Sequence, residues 1–139
     1  MSRRPLKVGL YIPNGVGYMS GGVHRWRDIL AFATAAEAAG FDSIWVADHM
    51  IFRFEGEAET QGRWECSSLL AALAAVTTRV ELGPLVSCMS FRNPALLAKI
   101  AETVDEISGG RLILAVGAGW HEPEYRAFGF GRTGAYSGF

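Results

Sequence analysis

Asp48-His49 is the pair of adjacent side chains in this 139-residue sequence best suited to chemistry. A carboxylate beside an imidazole can move protons or orient a ring, because imidazole titrates near neutrality. The pair follows Ser43-Ile44-Trp45-Val46-Ala47, so it stands where a short strand ends. Packing under the following loop is the alternative for His49. Gly117 and Gly119 let a flat ligand or a phosphate come close to the backbone. Glu122 stands where a dinucleotide fingerprint needs its third glycine, so no dinucleotide site is expected. His49, His121, Glu122 and Glu124 are metal-ligand types, but no H-x-H, H-E-x-x-H or C-x-x-C spacing joins them, and no metal is expected. Cys88 has no adjacent cation to activate it and reads as a buried thiol. Trp45, Phe91, Trp120 and Phe128 can stack on an aromatic ligand, but aromatics so placed are read as core.

These residues need elements to hold them. Leu6–Ile12 is a nearly continuous apolar run stopped by Pro13-Asn14-Gly15, as in a strand buried on both faces. Residues 24–39 have helical spacing, with Trp26, Ile29, Leu30, Ala33 and Ala36 on one face and Gly40 closing the end. Ser43–Ala47 is a second strand. A polar loop from about Ile51 to Arg63 precedes a helix marked by Cys66, Leu69, Leu70, Leu73 and Val76. Val80–Val86 is a third strand, interrupted by Gly83-Pro84. Asn93-Pro94 opens a third helix, Asn as N-cap and Pro in the first turn, with Leu97, Ile100, Ala101, Val104 and Ile107 buried and Gly109-Gly110 at its end. Arg111–Gly117 is a fourth strand, followed by a helical piece around Pro123–Phe128.

Strands beginning near residues 6, 43, 80 and 111 and alternating with helices imply parallel pairing with right-handed crossovers. An open doubly wound sheet and part of a (β/α)8 barrel both fit. A whole barrel takes about 250 residues, so this chain supplies roughly half of one. In either architecture ligands bind at the carboxyl ends of the strands. Those ends are Pro13-Asn14-Gly15, Asp48-His49, Leu85-Val86-Ser87-Cys88 and Gly117 to Glu122.

Composition narrows the class. Thirteen Lys+Arg oppose 14 Asp+Glu, and without a basic cluster no nucleic-acid partner is expected. No apolar run approaches the roughly 20 residues of a membrane helix. The stretch behind Arg3-Arg4 is broken by Lys7 and makes a poor signal peptide, so a cytoplasmic protein with free thiols at Cys66 and Cys88 is expected. Residues 131–139 lose all periodicity and read as a divergent, disordered tail after a domain of residues 1–130.

Several longer runs add a likeness. They are Ala71-Ala72-Leu73-Ala74-Ala75-Val76-Thr77-Thr78-Arg79-Val80-Glu81-Leu82-Gly83, Phe91-Arg92-Asn93-Pro94, Asp105-Glu106-Ile107-Ser108-Gly109-Gly110-Arg111 and Gly117-Ala118-Gly119-Trp120-His121-Glu122-Pro123-Glu124-Tyr125, with Trp45 to His49 upstream. On these, from about Lys7 to Phe130, the chain resembles the bacterial luciferase-like monooxygenase superfamily. That group holds flavin-dependent monooxygenases and oxidoreductases using the deazaflavin coenzyme F-420. The resemblance implies a TIM-barrel-type (β/α)8 fold, of which this chain covers about four β/α units. It implies FMN or coenzyme F-420 as cofactor, and a small organic substrate. The ring of the cofactor is expected at the barrel mouth, against a cis peptide at Leu85-Val86 that acts as a wedge. Ser87, Gly117 and Gly119 complete the cofactor set, and His49 and Asp48 stand at the reactive centre.

Two departures matter. The acidic residue of the sugar-phosphate dehydrogenase branch is replaced by Trp120, which argues against that substrate. The later strands, which hold the coenzyme phosphate in the family, are not in this sequence. A non-catalytic truncated fragment, or a half-barrel that self-associates through open strand edges, is therefore the rival expectation.

Overall fold

The computed structural model describes residues 6–15, 24–53, 56 and 58–130. The expected tail at 131–139 lies outside them. Strand β1, Gly9–Ile12, pairs in parallel with β2, Ser43–Val46. The first strand is shorter than Leu6–Ile12 because the Val8 amide donates to the Asp42 carboxylate at 2.7 Å instead of to a strand. Helix α1, Trp26–Ala38, connects them, and its Ile29, Ala33 and Ala36 are buried.

Residues 51–63 are not merely a loop. Ile51–Phe52, β3, pairs antiparallel with Gln61–Gly62, β4. Strands of two residues leave no alternation to read. Helix α2, Cys66–Val76, begins on Glu65, whose carboxylate accepts the Ser67 amide at 3.1 Å and the Ser68 amide at 2.6 Å. Val76, expected on the buried face, is exposed at the last turn.

Strand β5, Glu81–Pro84, pairs in parallel with β2. Gly83 and Pro84 belong to this strand and do not interrupt it. Gly83 leaves room for the Trp45 ring, since a Cβ there would come within 2.7 Å of Trp45 Cζ3. The Leu85–Val86 peptide is cis. Past it, β6, Ser87–Cys88, pairs in parallel with β7, Val116–Gly117.

Helix α3, Pro94–Ser108, is capped by Asn93 Oδ1, which accepts the Ala95 amide at 2.9 Å, and is closed by Gly109 at φ 70°. Leu97 and Val104 are buried, but Ile107 is exposed beside that end. The fourth strand is split. Leu112 bridges Leu82, and only Val116–Gly117 forms a regular ladder, with Ser87–Cys88. Helix α4, Glu122–Phe128, follows.

The strand order is thus first, second, third, fourth, all parallel: an α/β fold laid out as about four units of a (β/α)8 barrel. Ile12, Ile44, Val46 and Leu82 form the helix-facing core with Ile29, Leu69, Leu73 and Val104. Burying each such side chain is worth about 1.5–3 kcal/mol. Arg111 ties the layers together. Its Nε donates to Ser108 O at 2.6 Å, Nη1 to Val80 O at 2.7 Å and Thr77 Oγ1 at 2.9 Å, and Nη2 to Ala74 O at 3.0 Å and Thr77 O at 2.9 Å. No helix among the described residues is long and apolar enough to cross a membrane.

Candidate active site

The ends of β2, of the β5–β6 step and of β7 open into one cavity of about 230 Å³. Leu85, Val86, Phe91 and Trp120 give it apolar walls, and Asp48, His49, His121 and Glu124 bring the polar groups. Of the residues expected at the reactive centre or against the cofactor, Asp48, His49, Leu85, Val86 and Gly119 line this cavity. Ser87 and Gly117 lie just behind it. Ser87 Oγ donates to Asp48 Oδ2 at 3.4 Å, and a Cβ on Gly117 would sit 2.6 Å from Val86 Cγ2.

Asp48 and His49 have different partners. Asp48 is buried, and Arg92 grips it with two bonds, Nη1 to Oδ2 at 2.6 Å and Nη2 to Oδ1 at 2.8 Å. The Cys88 amide donates to Oδ2 as well, at 2.8 Å. Arg92 also donates to Glu65, so one guanidinium joins the end of β2 to the start of α2. Burial works against the charge on Arg92, but the two carboxylates outweigh it and raise the pKa. Burial likewise opposes ionisation of Glu65, yet the Ser68 hydroxyl and amide, Arg92 and the Ser67 amide bring it down to about 2.

His49 stays partly open to the cavity, its side chain 23% exposed. Its Nδ1 lies 2.8 Å from Oε2 of the fully buried Glu124. The other oxygen, Oε1, accepts the Met50 amide at 2.5 Å and the Ile51 amide at 3.1 Å. Phe52 meets the His49 ring edge-on at 4.9 Å between centroids and stacks on His121 at 4.9 Å. His121 is buried. That burial pushes its pKa below the ordinary 6.5, His49 and Arg53 push the same way, and Glu124 opposes them. Gly119 has φ +83°, and a Cβ there would come 2.1 Å from Tyr125 Oη and 2.4 Å from Cys88 Sγ. Cys88 and Cys66 are both buried thiols.

Glu124, Arg92 and Phe52 were not singled out for these roles by sequence reasoning. Phe52 lay in a stretch read as loop. Arg92 stood only inside a motif, though an Arg just before a helix cap is a ready partner for a buried carboxylate. Trp120 and Phe128, read as core, are 66% and 47% exposed. Trp120 meets Phe52 edge-on at 6.0 Å between centroids, and Phe128 stacks on Phe130 at 6.0 Å. Among the described residues no cluster of His, Cys, Asp and Glu is arranged to hold a metal ion.

The cavity combines these apolar walls with the polar side chains of Asp48, His49, His121 and Glu124. Among the described residues no Lys or Arg lines the cavity to meet an anionic tail.

The model of the luciferase-like monooxygenase family matches residues 6–137. An F420-dependent glucose-6-phosphate dehydrogenase of Amycolatopsis mediterranei is 41% identical over 95 residues, 67% of this chain and 27% of that protein. A pyrimidine monooxygenase RutA of Methylobacterium radiotolerans is 33% identical over 130 residues, 89% of this chain and 34% of its own length. The chain therefore spans about a third or less of these relatives. Among solved structures, an F420-dependent secondary alcohol dehydrogenase in complex with an F420-acetone adduct superposes with a TM-score of 0.70 at 27% identity, over 88% of this chain and 34% of that one.

Proposed function

The chain belongs to the luciferase-like monooxygenase family, and from that premise we propose that it forms one side of the active site of a flavin- or deazaflavin-dependent oxidoreductase acting on a small organic substrate. The observation that carries the reading is the His49 imidazole, anchored on a buried carboxylate and facing an apolar slot at the strand ends. Bound FMN or coenzyme F-420 would supply the redox chemistry, as cofactors do in general. Leu85 and Val86 would seat the ring, and Trp120 would flank its edge. Ser87, Gly117 and Gly119 would shape the backbone beneath. His49 would take or give the proton that accompanies chemistry at the ring. Asp48 would act at one remove, holding the Cys88 amide and Arg92 so that the wall keeps its shape.

Titration of the 139-residue chain with FMN and with the deazaflavin tests this. A saturable change in ring absorption is expected with one of them, weaker than low micromolar. The slot would hold a ring, but remote phosphate contacts usually supply much of the binding that orients it, and among the described residues no cation lines this cavity. The change should vanish in Val86→Glu. Absence of saturable binding with both cofactors overturns the reading.

A second reading is favoured by a separate observation. Val8, Leu85, Ile113, Leu114 and Val116 are 45%, 52%, 36%, 44% and 54% exposed, on or beside the strands. A half-barrel with such a surface would associate with another copy through its strand edges.

A further inference from the structure

We propose that Glu124 is a positioning residue that fixes the tautomer of His49, placing the proton on Nδ1 and leaving Nε2 bare toward the cavity. The role given to that bare nitrogen rests on the reading of His49 as the proton-handling group. The tautomer itself rests only on geometry.

The two oxygens of Glu124 have distinct tasks. Oε1 receives two backbone amides, Met50 and Ile51, which can only donate. That fixes the rotation of the carboxylate. Oε2 is then aimed at His49 Nδ1 at 2.8 Å. An ionised carboxylate accepts and does not donate, so the proton of this hydrogen bond belongs to the imidazole. A neutral imidazole with its proton on Nδ1 has an unprotonated Nε2. Among the described residues no hydrogen-bond partner is found for that nitrogen, and it is not among the sealed-off polar atoms. Phe52, His121 and Trp120 surround the ring at 4.9, 5.8 and 5.9 Å between centroids and limit its rotation. A buried acid behind an imidazole thus makes it a base on the side that faces substrate, the logic by which a carboxylate orients a general base elsewhere.

The arrangement makes Glu124→Gln a directed change. The variant is nearly isosteric. Its Oε1 must still accept the Met50 and Ile51 amides, which turns the new NH2 group toward His49. An NH2 donates, so Nδ1 must accept and the proton must move to Nε2. Histidine nitrogens report this directly, because protonated and bare ring nitrogens differ widely in 15N chemical shift.

The experiment is 15N NMR of the 139-residue chain labelled at histidine, with His49 assigned through His49→Gln, at a pH high enough to keep the ring neutral. The native protein should show a protonated Nδ1 and a bare Nε2. Glu124→Gln should show the two signals exchanged in character. A native His49 with its proton on Nε2 overturns the proposal, even if the variant fails to fold. So does a folded Glu124→Gln that keeps the native pattern, since a purely structural Glu124 would leave it unchanged. Cofactor titration stands apart: with the tautomer switch seen and no ring bound, the positioning inference holds and the proposed function fails.

Discussion

Asp48 and His49 are adjacent in the chain, and their side chains do different work. The Asp48 carboxylate is enclosed by Arg92, the Cys88 amide and Ser87. Removing one member of such a buried pair leaves the other charge uncompensated, at a typical loss of about 3–5 kcal/mol. Arg92→Ala is therefore expected to destabilise the chain by about 3 kcal/mol or more, read from the urea midpoint at constant slope. A shift below about 1 kcal/mol would place the pair among ordinary surface contacts. At this scale the sequence is a partial guide. An Asp-His pair at a strand end announces itself. Nothing in its spacing tells which of the two faces the cavity, because Arg92 lies 44 positions from Asp48 and Glu124 lies 75 from His49. Those partners are chosen by the closing of the sheet, which brings the ends of distant strands together.

Elements carry the pH response. Glu65 caps α2 and is held at about 2 against an ordinary 4.5. A depressed carboxylate contributes stability that is whole above its ordinary value and is lost as pH falls toward the depressed one. His121, kept below 6.5 mainly by burial, behaves in the same sense: its contribution is whole above about 6.5 and declines as acid forces a charge into the buried ring. Denaturation midpoints measured across a pH series should start to fall below about pH 6.5 and fall further between 4.5 and 2. His121→Phe should remove the first decline and spare the second. A flat profile between pH 7 and pH 5 in the native chain would contradict the role given to His121. The main helices were legible because apolar spacing, Asn93-Pro94 and Gly109 are local signals. Strands β3 and β4 were not, being two residues each, and neither was the division of the fourth strand between Leu82 and Ser87–Cys88, which depends on pairing with distant residues.

At the scale of the molecule, the outer edges of β1 and of the fourth strand have no strand beside them among the described residues. Apolar side chains along them, such as Val8 and Val116, are about half exposed. Covering a few of these is worth roughly 1.5–3 kcal/mol each, a sizeable part of a domain's stability of about 5–15 kcal/mol. The 139-residue chain by itself should therefore sediment as species larger than a monomer at micromolar concentration. A sharp monomer boundary would show that the edges are protected. Parallel α/β architecture was readable from the alternation of strands and helices. The choice of a barrel over an open sheet was not, since both share that alternation, and it came from the motif runs. The five donors of Arg111 reach the end of α2, the start of β5 and the end of α3. Three segments tied to a single planar fork cannot fray one at a time. Their amides should exchange with deuterium at one shared rate, as a cooperative opening unit. Arg111→Lys keeps the charge but loses the fork, and it should split that rate into several while the strand ladder of β1 and β2 exchanges as before.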